Sequence, residues 1–320
     1  MGRALCASKH RLACGRCFAL ITIKNMVTLT AYVVNCIMAG DEITHLPDGS
    51  WIRDVVSFKC NKWEFKFRQH RNVVQSEIEP LKGTFCETST VEVEGVNPNQ
   101  VDKVLKTLDD ICWLLTFACQ SRVLCYGYEF ETTKHLKSVF GSTNYFRPPI
   151  EIKDGAVIKD FIEQTYPVFH KLNKKRKLTV IFDYLVEADK LNQPIEVRLL
   201  LLFVTLESLK DTYAKEKGYP FIKNHYRKPA RELNKSGESF KFEELLLQML
   251  QSVNMRRGLK QVVALRNEII HSGLSRKPHS RQWEMYERIQ DIIREYLIRV
   301  LAYDGAFYTY ASAGTLSKKV

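Results

Sequence analysis

Arg266 and His271 stand five residues apart in ALRNEIIHSG (264–273), at the end of an apolar helical run. A neutral imidazole can take the proton of a ribose 2′-hydroxyl, and its charged form can protonate the departing 5′-oxygen. A guanidinium can brace the negative charge that develops on phosphorane oxygens. Arg266 and His271 in one cleft would therefore suffice for RNA cleavage without a metal. Asn267 lies four residues before His271, on the same side of a helix, where its amide could orient the ring. The plainer reading of His271 is a partner for the dipole at a helix C-terminus.

At 100° per residue, Leu259, Val262, Val263, Leu265, Ile269 and Ile270 share one face of this helix, and Arg266 falls near its middle. A guanidinium on an apolar stripe is costly unless it is paired or lines a cavity. Upstream, RLLLLFVTLESLKDTY (198–213) is apolar nearly all round and reads as a central buried helix carrying Glu207. A Glu207–Arg266 pair inside a bundle would satisfy both groups and needs no catalysis. Against a catalytic pairing, five helical residues turn through about 140°, so Arg266 and His271 diverge on an ideal helix. Two arrangements restore convergence: Ser272 and Gly273 end the helix early enough to deform its last turn, or a two-fold dimer brings two copies to a shared cleft.

The elements that must position these residues follow from periodicity. LPDGSW (46–51) carries an Asp-Gly turn signal, and WEFKFR (63–68), VEVEGV (91–96) and YGYEFE alternate as half-buried antiparallel strands do. Residues 97–122 change to helical spacing through Val101, Val104, Leu105, Leu108, Ile111, Cys112 and Leu115. GSTNYFRPPI (141–150) is turn-rich and marks the expected domain boundary. Beyond it helices are expected near 155–172, 176–191, 194–217, 240–255, 257–272 and 280–303, then a turn and short strand in YDGAFYTYASAG. The expected class is α+β: a leader at 1–25, a β-rich domain with one or two helices at 26–150, and an all-α helical domain at 151–320.

The chain carries a net charge of +12, of which residues 151–320 contribute +9. Such a field favours polyanions, nucleic acid first, although solubility alone also accounts for it. Nine scattered cysteines, several inside apolar runs, read as reduced thiols of a cytoplasmic protein. No run approaches the roughly 20 apolar residues of a membrane span, so no membrane partner is expected. The first residues are basic, lack the cleavage pattern of a secretory signal, and leave Met26 as a candidate start. Cys6, His10, Cys14 and Cys17 include one CxxC but no second pair at a matching distance, so no zinc, other metal or cofactor is expected.

Basic residues near the candidate helix supply an RNA path. Arg276, Lys277 and Arg281 follow His271 directly. The loop from Lys223 to Lys235 holds Lys223, His225, Tyr226, Arg227, Lys228 and Arg231, cations mixed with an aromatic that can stack on a base. NKKRK (173–177) reads as a solvated loop between helices. A glycine-rich phosphate loop, a G-x-S-x-G elbow and H-E-x-x-H are all missing from the sequence.

R-N-E-I-I-H, with four residues between arginine and histidine, resembles the signature of HEPN domains. The helical C-terminal half, the LESL helix before the motif and the LAYDGAFY ending resemble the Apea-like branch, over about residues 155–310. The resemblance implies a helical bundle that homodimerises, and a metal-independent endoribonuclease with Arg266 and His271 catalytic and Asn267 supporting. It also implies a defence or toxin effector, with an antitoxin or regulatory partner. HEPN domains without activity serve as dimerisation or RNA- and nucleotide-binding modules, which is the competing expectation. An N-terminal enzyme with a helical appendage is a third, although that half shows no acid, base or nucleophile constellation.

Overall fold

The computed structural model describes residues 27–74, 79–141, 143–144, 147–190, 192–229, 237–311 and 316–317. The expected leader, with Cys6, His10, Cys14 and Cys17, lies outside the described residues, as do Arg231 and Lys235. The N-terminal half is a seven-stranded antiparallel sheet of β1 (Val27–Val34), β2 (Glu42–His45), β3 (Trp51–Cys60), β4 (Trp63–Gln69), β5 (Glu87–Val96), β6 (Leu124–Phe130) and β7 (Thr133–Leu136), in the order β2-β3-β4-β5-β1-β6-β7. The Asp-Gly signal forms the β2–β3 turn. Gly49 takes φ +82°, the Gly49 N–H donates to the Leu46 carbonyl at 3.0 Å, and Asp48 Oδ1 accepts from the Ser50 N–H at 3.0 Å.

The alternation in WEFKFR sends Phe65 and Phe67 to the covered face, beside Phe58 of β3 and Val91 of β5. Within this half lie a short helix α1 (Arg71–Val74) and the longer α2 (Val101–Cys119), whose apolar spacing buries Val104, Leu108, Ile111 and Leu115. The second half contains α3 (Gly155–Arg176), α4 (Leu178–Ala188), α5 (Ile195–Glu216), the hairpin β8 (Phe221–Ile222) and β9 (His225–Tyr226), α6 (Phe242–Gln251), α7 (Lys260–Ser272) and α8 (His279–Val300). The tail pairs β10 (Phe307–Tyr308) with β11 (Leu316–Ser317).

The core runs unbroken past residue 150. Helix α3 packs on both β3 and α2, so Ile158, Phe161 and Ile162 join Phe58, Phe117 and Phe182 in one buried cluster. Asp154 caps α3 by accepting from the Ala156 N–H at 3.0 Å. At Gly155 a Cβ would lie 2.3 Å from the Gly40 backbone, so this junction needs glycine. Asn61, in the β3–β4 turn, donates to the Tyr166 hydroxyl of α3 at 2.7 Å and ties the sheet to the helices.

Helix α5 is central as its composition implies, packing against α3, α4, α6, α7 and α8. One expectation changes. NKKRK is no loop: Asn173 to Arg176 form the last turn of α3, and Arg176 is buried, bonded to Glu216 at 2.6 Å and to the Tyr296 hydroxyl. The basic composition hid one cation that the bundle pairs internally. Asp189, just past α4, is fully buried. It accepts from Arg294 of α8 at 3.0 Å and from Tyr286 and Gln290. Burial pushes its carboxyl above the usual range while the Arg294 guanidinium opposes the shift.

Candidate active site

Helix α7 buries Val262, Leu265 and Ile269 against the bundle, with Leu259 just before it. Arg266 sits at the edge of that face with 22% of its side chain exposed, and Ile270, expected inside, is 42% exposed. The apolar stripe is narrower than the six-residue face that the sequence suggests, because α5 and α6 cover only one side of α7. The helix ends on Gly273 at φ +73°, whose N–H donates to the Ile269 carbonyl at 2.8 Å. It therefore keeps its helical turn through His271, and the deformed last turn that would swing the imidazole toward Arg266 does not occur. Within one chain the two side chains point about 140° apart, with about 7.5 Å of rise between them.

Glu207 and Arg266 meet, as the pairing expects, but at the edge of the bundle and not inside it. Arg266 Nη2 donates to Glu207 Oε1 at 2.6 Å, and Nη1 donates to Asn267 Oδ1 at 3.0 Å. Asn267 thus serves the guanidinium and not the imidazole. Lys210, one turn along α5, places Nζ 2.5 Å from the other carboxylate oxygen, Oε2. Both cations also lie against the ring of Phe242, the first residue of α6, each 4.7 Å from its centroid. The carboxylate and the aromatic ring are therefore each shared by the same two cations. The pair is not sealed in the core: Glu207 is 34% exposed, and a cleft of 780 Å3 opens onto Glu207, Lys210 and Arg266.

The β8–β9 hairpin forms the opposite wall with Phe221, Asn224, His225 and Tyr226. Tyr226 is the aromatic expected to stack on a base, yet it is buried. Its hydroxyl donates to Asp211 Oδ1 at 2.5 Å, and burial followed by that carboxylate pushes it above the usual phenol range. The hairpin's open aromatic is Phe221, 59% exposed. Burial raises the Asp211 carboxyl, but bonds from Lys215 and Tyr226 outweigh it and hold the group below its ordinary value. Lys223 is exposed at the hairpin turn, Arg227 is half-buried, and Lys228 is engaged by Glu244 at 3.1 Å and Glu238 at 3.6 Å.

His271 is exposed on the last turn of α7 and makes no hydrogen bond, ion pair or ring contact among the described residues. The following loop folds back on α7, with the Arg276 N–H bonded to the Glu268 carboxylate. The side chains of Arg276 and Lys277 are exposed beside His271 in sequence, whereas Arg281, in the first turn of α8, is paired with Glu284. Lys210 and Phe242 join the cleft without being singled out in the sequence, whereas His225 belongs to the loop expected there. Lys210 was findable, since it lies three residues from Glu207 on α5; Phe242 reaches the cleft through the folding of a long loop.

Among the described residues no group of three or more His, Cys, Asp or Glu could hold a metal ion, and no helix is long and apolar enough to cross a membrane. Compared with known proteins, the chain matches no family model, no curated protein and no solved structure.

Proposed function

We propose that the protein is a metal-independent endoribonuclease of the HEPN type, active as a homodimer in the cytoplasm, and a defence or toxin effector held in check by an antitoxin or regulatory partner. The observation that carries this reading is an uncommitted, exposed imidazole on the same helix as a guanidinium that opens into a cationic cleft. A neutral His271 takes the 2′-hydroxyl proton, the attacked phosphorus becomes a phosphorane, and an imidazolium returns a proton to the 5′-oxygen. Arg266 neutralises the phosphorane oxygens. Arg276 and Lys277 extend the positive path from His271.

The 140° divergence within one chain makes a second copy necessary. Leu200 and Val204 lie seven and three residues before Glu207 on α5, and Ile270 lies four after Arg266 on α7, so all three share the side of their helix that carries the pair. Leu200, Ile270 and Leu274 are exposed. An uncovered apolar stripe beside the candidate site supports association there, with each copy presenting its arginine and histidine to one groove.

The Glu207–Arg266 contact favours a second reading, a non-catalytic dimerisation or RNA-binding module in which the carboxylate locks the guanidinium. Wild type, His271→Ala and Arg266→Ala incubated with RNA in EDTA separate the two. The nuclease reading expects cleavage by wild type and none by His271→Ala with fold and dimer intact. Absence of cleavage by wild type, with Arg266→Ala losing its fold, supports the locked module.

A further inference from the structure

A second cleft, of 690 Å3, lies where the sheet meets the helical half and shares no residue with the Arg266 cleft. Its floor is apolar: Ile37 and Met38 after β1, Val73 of α1, and Ile150 and Ile152 before α3, all buried. The Ala39 N–H donates to the Ile152 carbonyl at 2.9 Å and stitches the two sides of the floor together. The rim is charged but unevenly satisfied. Glu79 is held by Lys82 at 2.6 Å, and Glu151 accepts from the Tyr308 hydroxyl at 2.5 Å and the Lys153 N–H at 2.9 Å. The two acids are therefore occupied. The side chains of Arg53 and Lys153 are exposed and have no carboxylate partner among the described residues; Arg53 only overlies the Trp51 ring at 5.9 Å.

We propose that this cleft binds a small amphiphile with an apolar body and one anionic head. The body lies on Ile37, Met38, Ile150 and Ile152, and the head sits between Arg53 and Lys153. An apolar floor with a few converging polar groups is the usual make-up of a small-molecule site. Two rim cations without a carboxylate partner select a negative head by charge-assisted hydrogen bonds. The apolar floor matches a hydrocarbon body and not the polar edges of a base. The site owes nothing to the Arg266 reading and stands or falls separately. Its occupant would touch Tyr308 and the bend-and-turn segment 148–153 leading into α3, and so bind both halves of the fold at once.

Isothermal titration calorimetry of the full chain with decanoate, 2-naphthoate and decanol tests the assignment. At least one anion is expected to bind one-to-one, with decanol at least tenfold weaker; the stronger anion tells whether the body is a chain or a ring. The Arg53→Ala/Lys153→Ala variant alters only exposed side chains, so its thermal melt should match wild type. It is expected to weaken anion binding tenfold or more and leave decanol unchanged. Saturable binding by neither anion, decanol binding as tightly as decanoate, or full affinity in the double variant would each overturn the proposal.

Discussion

Glu207 on α5 accepts from Arg266 on α7 at 2.6 Å through one oxygen, and holds Lys210 at 2.5 Å through the other. The carboxylate thus occupies the space between two cations that face an open cleft. A phosphate diester carries the same single negative charge and also pairs with a guanidinium through its oxygens. Under the proposed function, Glu207 is the counter-ion that an RNA phosphate would displace, so the pair would enter the binding equilibrium.

Replacing Glu207 with Gln leaves a carbonyl oxygen for Arg266 and removes the competing charge. RNA binding at low salt should tighten about threefold, as one extra positive charge faces the phosphate path. The folding free energy should fall by about 1 kcal/mol or less, the range for a partly exposed pair. Fluorescence anisotropy with a short RNA and urea unfolding measure both; weaker RNA binding would contradict the counter-ion role.

Tyr226 and Asp211 pin the β8–β9 hairpin to α5. The Asp211 carboxyl lies below its ordinary value of 3.8, so its contribution is fully present above that pH and is lost as pH falls through the lower folded value. Tyr226→Phe removes one of the bonds that lower it. The variant should lose about 1 kcal/mol at neutral pH and show a smaller further loss than wild type when acidified below 3.8. Urea unfolding across that range decides, and parallel acid profiles would contradict the assignment.

The buried Asp189–Arg294 pair makes a contrasting demand. Asp189→Asn strands a guanidinium that is almost wholly buried and should cost about 3–5 kcal/mol. Adding Arg294→Met removes the stranded charge and should recover part of that loss. Chemical denaturation of the single and double variants checks the order; a double variant less stable than Asp189→Asn would show that charge is not the dominant cost.

Much of this arrangement was legible in the residues. The alternating stretches of β4, β5 and β6, the helix α2 and the six helices of the second half follow from period-two and period-3.6 patterns. The Glu207–Arg266 contact follows from an arginine on an apolar stripe and an acid within an apolar helix. What stayed hidden depends on which surface meets which. Ile270 has core chemistry but faces outward, because the neighbours of α7 cover one side only. Tyr226 looks like a stacking residue and is consumed by Asp211, while Phe221, two residues from the turn, takes the exposed position. Asp189 and Arg176 belong to charge-rich surface stretches by composition, yet their partners, on α5 and α8, draw them inside. Whether His271 meets an arginine is a property of an assembly, and no spacing within one chain encodes it.

Association has its own test. Ile270→Asp places a charge on the exposed stripe beside Arg266 and should shift the protein from dimer to monomer with unchanged helical circular dichroism. Light scattering reads the mass. A dimer that survives the substitution would move the interface elsewhere and remove the route by which the two residues converge.

In the proposed mechanism His271 activates a ribose 2′-hydroxyl. The most direct measurement uses a labelled RNA, and the same RNA with one 2′-deoxy residue at the mapped cleavage position, each incubated with wild type in EDTA. With His271 as the base, the all-ribose strand is cut to a 2′,3′-cyclic phosphate and a 5′-hydroxyl, and the bond at the deoxy position stays intact. Cleavage at the deoxy position, or a 5′-phosphate product, would contradict it.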